Sequence, residues 1–115
     1  MEEKKKTALV IEDDDMIMAC IVRVFKELGW EVRTAINPRE AVPQIRGSQL
    51  VVSDYNGMEF DVTEEICKNL KIPLILHTAD TEATSSYATK ILKPSTKTRE
   101  TIVNVIRTNG LYLPD

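Results

Sequence analysis

The chain has 115 residues, 43% of them hydrophobic and 29% charged, with a formal net charge of −3. That length suits one compact domain built on a single core, spanning residues 1–115. The composition excludes a disordered chain, the mild acidity gives no support for a nucleic-acid-binding surface, and no apolar stretch is long enough to span a bilayer.

The charged start, Met1 to Lys6, lacks the apolar segment of a secretion signal and reads as a frayed terminus of a cytoplasmic protein. From Lys6 to Ile11 an apolar run, Thr-Ala-Leu-Val-Ile, ends abruptly in Glu12, Asp13 and Asp14. Such runs are strands buried on both faces, as in a parallel sheet covered by helices. Apolar residues then recur at helical spacing from Met16 to Leu28 (Ile17, Ile21, Val24, Phe25, Leu28), and Gly29 supplies a stop. Asp14 and Asp15 read as the solvated start of that helix, favoured by its dipole. Part of the stretch Met16, Met18, Ala19 and Cys20 is left over from core packing and could serve as a docking patch. Glu31 to Ala35 is a second strand. Asn37 caps, and Pro38 opens, a short helix that Pro43 keeps brief.

Leu50 to Ser53 is a third strand, again ending at an acid, Asp54. Val62 to Leu70 reads as a helix, Ile72 to His77 as a fourth strand and Thr89 to Leu92 as a fifth. A last helix runs from about Thr96 to Thr108, with Ser95 or Thr96 as cap and Gly110 as terminator. Between Thr78 and Ala88 the residues are small and polar, with room for one helical turn or two. Cys20 and Cys67 lack CxxC spacing and read as reduced packing residues. Strand and helix alternate along the chain, which argues for a parallel sheet wrapped on both sides by helices and joined by right-handed crossovers. Active crevices of such folds lie at the carboxyl ends of the strands.

The residues at those strand ends are therefore informative. The first strand ends in Glu12-Asp13-Asp14, the third in Asp54, the fourth in His77-Thr78 and the fifth in Lys93-Pro94. Clustered carboxylates repel one another, and a hard divalent cation with oxygen ligands and retained waters, Mg2+, neutralises them. Glu12 and Asp13 would hold the ion on one side and Asp54 on the other. A carboxylate beside such an ion can attack a phosphoryl group and form an aspartyl phosphate. Lys93 would neutralise charge on the transferring oxygens, and Thr78 could hydrogen-bond one of them. His77, the only histidine, reads as a strand-end residue rather than a phosphohistidine or a metal ligand.

The ordered set Val-Ile-Glu-Asp-Asp, Val-Val-Ser-Asp, Thr-Ala and Lys-Pro resembles the response-regulator receiver family of two-component signalling over nearly the whole chain. The resemblance implies an α/β, flavodoxin-like (βα)5 doubly wound sheet with strand order 2-1-3-4-5. It implies that Glu12, Asp13 and Asp54 bind Mg2+ together with the backbone carbonyl of Asn56, that Asp54 is the phosphoacceptor, and that Thr78 and Lys93 contact the phosphate. It also implies a histidine kinase or histidine phosphotransfer protein as donor, and a Lys93-Pro94 bond that is commonly cis in relatives. Such a chain is a phosphoacceptor signalling domain rather than an enzyme, assisting only its own phosphorylation and dephosphorylation. With no room for an output domain, it would act through another protein.

The chain departs from the family at three places. After Asp54 it reads Tyr55-Asn56-Gly57-Met58-Glu59-Phe60, a shortened loop without the usual proline and with Phe60 in the place of a glycine. The segment from Thr78 to Lys93 is several residues short, so a fourth helix there would be short or irregular. Lys90 stands where the family commonly carries an aromatic switch residue. The alternative reading is a pseudo-receiver, a module of the same fold that acts by protein binding without phosphorylation.

Overall fold

The computed structural model describes residues 6–55, 58–93 and 96–113. The carbonyl of Asn56, the Lys93-Pro94 bond, Ser95 as a helix cap and the charged start up to Lys5 lie outside the described residues. The elements follow one another as β1 (Thr7–Ile11), α1 (Asp15–Glu27), β2 (Glu31–Ala35), α2 (Pro38–Ile45), β3 (Leu50–Ser53), α3 (Met58–Leu70), β4 (Leu74–Thr78), β5 (Thr89–Leu92) and α4 (Thr98–Thr108).

All four strand pairings are parallel, in the order β2-β1-β3-β4-β5. This is the doubly wound order that the sequence implies. β1, β3 and β4 are buried along their whole length, whereas the edge strands β2 and β5 expose several residues. Side chains of a strand alternate between faces, so each central strand feeds two cores. Ala8, Val10, Leu50, Val52 and Ile75 pack with Ile21 and Phe25 of α1 and Ile102, Val105 and Ile106 of α4. Leu9, Ile11, Val51, Leu74 and Leu76 pack with Ala41 and Ile45 of α2 and Phe60 and Cys67 of α3. Each fully buried aliphatic side chain contributes about 1.5–3 kcal/mol, and it is this two-sided burial that selects apolar runs over alternation.

The helix ends are set by local chemistry. Asp14 accepts from the amides of Met16 and Ile17 at 2.9 and 3.0 Å, and Asn37 accepts from Glu40 at 2.9 Å. Gly29 and Gly110 have φ of +81° and +66°. Behind them, Trp30 N donates to Phe25 O and Leu111 N donates to Ile106 O, both at 3.0 Å, so both helices close in the same left-handed cap. α3 closes in the same way, but with Lys71 at φ +57°. α4 begins at Thr98, two residues after the start expected at Thr96, with Lys97 at the N-cap position. α3 begins at Met58 rather than Val62; its buried stripe is Phe60, Thr63 and Cys67, and with Phe60 alone buried in the first four residues no apolar period marks the start.

One expectation is corrected. No short or irregular helix joins β4 to β5: residues 79–88 form turns and an irregular strap. Its side chains satisfy its backbone in place of helical bonds. Asp80 Oδ1 accepts from Glu82 N at 2.8 Å, and Ser85 Oγ accepts from Tyr87 N at 3.1 Å and Ala88 N at 2.7 Å. Short polar side chains compete with a helix in this way. The strap is tied to α3 through Ser85 and Glu64. Tyr87 donates its hydroxyl to Ile72 O at 2.7 Å. The two cysteines also part company: Cys67 is buried, while Cys20 is exposed on α1 rather than packed.

Candidate metal and phosphoryl site

The register brings the strand ends level. Ile11 pairs with Ser53, Ser53 with Leu76, and Thr78 with Leu92. The ladder then continues one residue past β1, β3 and β5. Glu12 N donates to Ala35 O at 3.0 Å, Asp54 N to Ile11 O at 3.0 Å, and Lys93 N to Thr78 O at 2.7 Å. The backbone of each strand-end residue is thus held by the sheet itself.

Three of the acids converge on this edge. Glu12, Asp13 and Asp54 each offer a carboxylate oxygen, and the three oxygens lie within 4.8 Å of one another. Glu12 is only 2% exposed and Asp54 8%, while Asp13 is open to solvent. Buried carboxylates held this close need a counter-charge, and the donor set is all oxygen, which suits a hard divalent cation. The residues present therefore fit Mg2+, with Asp13 on the side from which a hydrated ion would enter. Part of the counter-charge is already supplied: Lys93 Nζ lies 2.7 Å from Glu12 Oε1. Asp14 does not join the acids. Its carboxylate is spent on the α1 amides, and its own N–H donates to Glu12 Oε2 at 3.2 Å.

Thr78 is buried at the same edge, and its Oγ1 accepts from Asp80 N at 3.0 Å. Lys90 does not act as an apolar substitute for an aromatic residue. Its ammonium donates to the carbonyls of Thr81 at 3.1 Å and Ala83 at 2.5 Å. The sequence marks this position only by what it lacks. The pairing of Lys93 with Glu12 has no local signal either, since it joins residues 81 positions apart.

His77 is buried one residue before Thr78, and among the described residues its Nδ1 has no hydrogen-bond partner. Burial first, and the nearby Lys93 charge second, push its pKa down to about 4, so the ring is neutral at pH 7. A neutral imidazole under α1 agrees with a packing role. Burial, reinforced by Glu64, pushes the Cys67 thiol up to about 12, which leaves it inert as a nucleophile. Two large apolar side chains stand exposed at the helix starts that follow these strands: Met16 is 80% exposed at the start of α1, and Met58 85% at the start of α3.

No protein-family model matches the chain, and no curated protein matches it. Solved structures do. The response regulator TrrA from Thermotoga maritima, solved in complex with Mg(2+)-BeF, is 25% identical, with a TM-score of 0.73 over 87% of this chain and 98% of that one. Another response regulator from Thermotoga maritima is 18% identical, with a TM-score of 0.75 over 90% of this chain and 99% of that one. The chemotaxis protein CheY4 of Vibrio cholerae is 20% identical, with a TM-score of 0.71 over 91% of this chain and 98% of that one. Among the described residues no helix is long and apolar enough to cross a membrane. The chain has the flavodoxin-like fold of the CheY-like response-regulator receiver domains.

Proposed function

We propose that the chain is a phosphoacceptor receiver domain that takes a phosphoryl group from a phosphohistidine donor onto Asp54. The observation that carries this reading is the convergence of Glu12, Asp13 and Asp54 on the edge where Thr78 and Lys93 also end their strands. An Asp54 oxygen would form the bond to phosphorus as the donor's P–N bond breaks, and the imidazole leaves with the bonding pair and a proton. Glu12, Asp13 and Asp54 would hold Mg2+, which when bound neutralises charge on the phosphoryl oxygens. The Thr78 hydroxyl would donate to one of those oxygens, and Lys93 would supply a second positive charge.

The acyl phosphate adds negative charge at the edge where α1 and α3 begin, with Met16 and Met58 exposed at those helix starts, which supports altered binding of a partner protein as its output. The donor would be a histidine kinase or histidine phosphotransfer protein, in a cytoplasmic signalling system. On this reading the chain is no enzyme in its own right. The TrrA structure in complex with Mg(2+)-BeF supports Mg2+ as the ion.

The test is intact-mass spectrometry after incubation with acetyl phosphate and Mg2+, beside Asp54→Asn and an EDTA control. A phosphoryl adduct that needs both Asp54 and Mg2+ supports the reading. The strap in place of a helix favours the pseudo-receiver alternative. Absence of both an adduct and Mg2+ binding would select that alternative.

A further inference from the structure

A helix packed over β4 and β5 would bond its own carbonyls, whereas the strap of residues 79–88 leaves carbonyls that need outside donors. Lys90 supplies two of them. Its strand places it beside Leu76, and alternation sends Ile91 into the α1/α4 core, so Lys90 lies on the opposite face, with the strap. From its ammonium a continuous path runs back to the site. Lys90 Nζ donates to Ala83 O at 2.5 Å, Ala83 N to Asp80 O at 3.2 Å, and Asp80 N to Thr78 Oγ1 at 3.0 Å. The Ala83 side chain is buried in the α2/α3 core, so this turn is held from below as well as from the side.

A hydroxyl carries one donor and two acceptor lone pairs. With one lone pair of Thr78 Oγ1 occupied by the Asp80 amide, the direction left to its hydrogen is restricted. We propose that Lys90 is a positioning residue for Thr78: by clamping the Asp80–Ala83 turn it orients the Thr78 hydroxyl toward a phosphoryl group on Asp54. The inference rests on the phosphoacceptor reading of Asp54 and deepens it. The far half of the strap is held separately, by Ser85 with Glu64 and by Tyr87 with Ile72 O. Loss of Lys90's donors therefore loosens the turn beside Thr78 while the strap stays docked.

The experiment compares wild type, Lys90→Met, which keeps the length without donors, and Lys90→Arg, which keeps donors. Two quantities are read on each folded protein: hydrogen exchange at the Asp80 amide by NMR, and the rate of Asp54 phosphorylation by acetyl phosphate with Mg2+. Lys90→Met is expected to speed Asp80 exchange by about tenfold with core amides such as Ile21 and Ile102 unchanged. It is expected to slow phosphorylation by about three- to tenfold at saturating acetyl phosphate, with the half-saturating concentration unmoved. Lys90→Arg should restore both.

Unchanged Asp80 exchange in Lys90→Met overturns the clamp whatever the phosphorylation result. Faster exchange with an unchanged rate overturns the positioning role and leaves the phosphoacceptor reading intact. If wild type takes no phosphoryl group and binds no Mg2+, the reading of Asp54 fails and the positioning role with it, while the exchange result still decides whether Lys90 holds the turn.

Discussion

Lys93 Nζ sits 2.7 Å from Glu12 Oε1, so the amine assigned to the phosphate is paired with a carboxylate assigned to the metal. Glu12 is almost fully buried and cannot turn to water for a substitute. Removing one partner of a buried pair strands the other charge, and Lys93→Met is expected to cost about 2–3 kcal/mol in metal-free buffer. Mg2+ at about ten times its Kd adds about 1.4 kcal/mol to any folded protein that binds it. The variant should bind Mg2+ more tightly than wild type, since the ion no longer competes with an ammonium. Thermal melts with and without Mg2+ check this: a larger rise in the variant is the expected outcome, and an equal rise would remove Glu12 from the ligand set.

Asp13 and Asp14 are adjacent but do different work. The Asp14 carboxylate caps α1, so Asp14→Ala should cost about 1 kcal/mol and leave Mg2+ affinity within about twofold. Asp13→Ala should do the reverse, with little change in stability and Mg2+ affinity lowered at least about tenfold. Calorimetric titration with Mg2+, beside urea denaturation, separates the two effects.

His77 makes stability depend on pH in a definite window. Its pKa in the folded protein is about 4 against an ordinary 6.5, so the unfolded chain binds a proton that the folded one refuses. The cost is absent above about pH 6.5, grows as the pH falls, and levels off below about pH 4 at about 3 kcal/mol. His77→Leu removes this dependence and one buried imidazole nitrogen without a partner among the described residues. The difference in urea-unfolding free energy between variant and wild type should therefore widen from pH 7 to pH 4. A difference that stays constant would contradict the buried neutral ring.

At the end of α3, Lys71 holds φ at +57°, a conformation that costs L residues roughly 1–2 kcal/mol and glycine almost nothing. Lys71→Gly should stabilise the chain by about 0.5 kcal/mol after the larger backbone entropy of the unfolded glycine is counted. The midpoint of urea denaturation should rise with an unchanged slope, and phosphorylation of Asp54 should be unaffected at this distance from the strand-end edge.

Legibility in the sequence tracks the range of the forces involved. β1 and β3 are readable because burial on both faces demands unbroken apolar runs, and Asn37-Pro38, Gly29 and Gly110 are readable because caps are local. The acids after β1 and β3 fall at one edge because parallel strands end on the same side. α3 reads four residues short because its first four residues, Met58 to Asp61, send only Phe60 into the core. The strap is harder still. Asp80 and Ser85 could have capped a short helix, and only contacts with Glu64, Ile72 and Lys90 make the irregular path the satisfied one.

The sequence by itself therefore determined the alternation of strands and helices, the parallel sheet and the identity of the residues at its carboxyl edge. Period, capping and turn chemistry act over a few residues and leave their mark in order. Only the tertiary structure decided that Lys93 pairs with Glu12, that His77 is neutral and that Lys90 serves carbonyls instead of filling a core. Each of those depends on which groups water can no longer reach, and that is settled by packing between residues far apart in the chain.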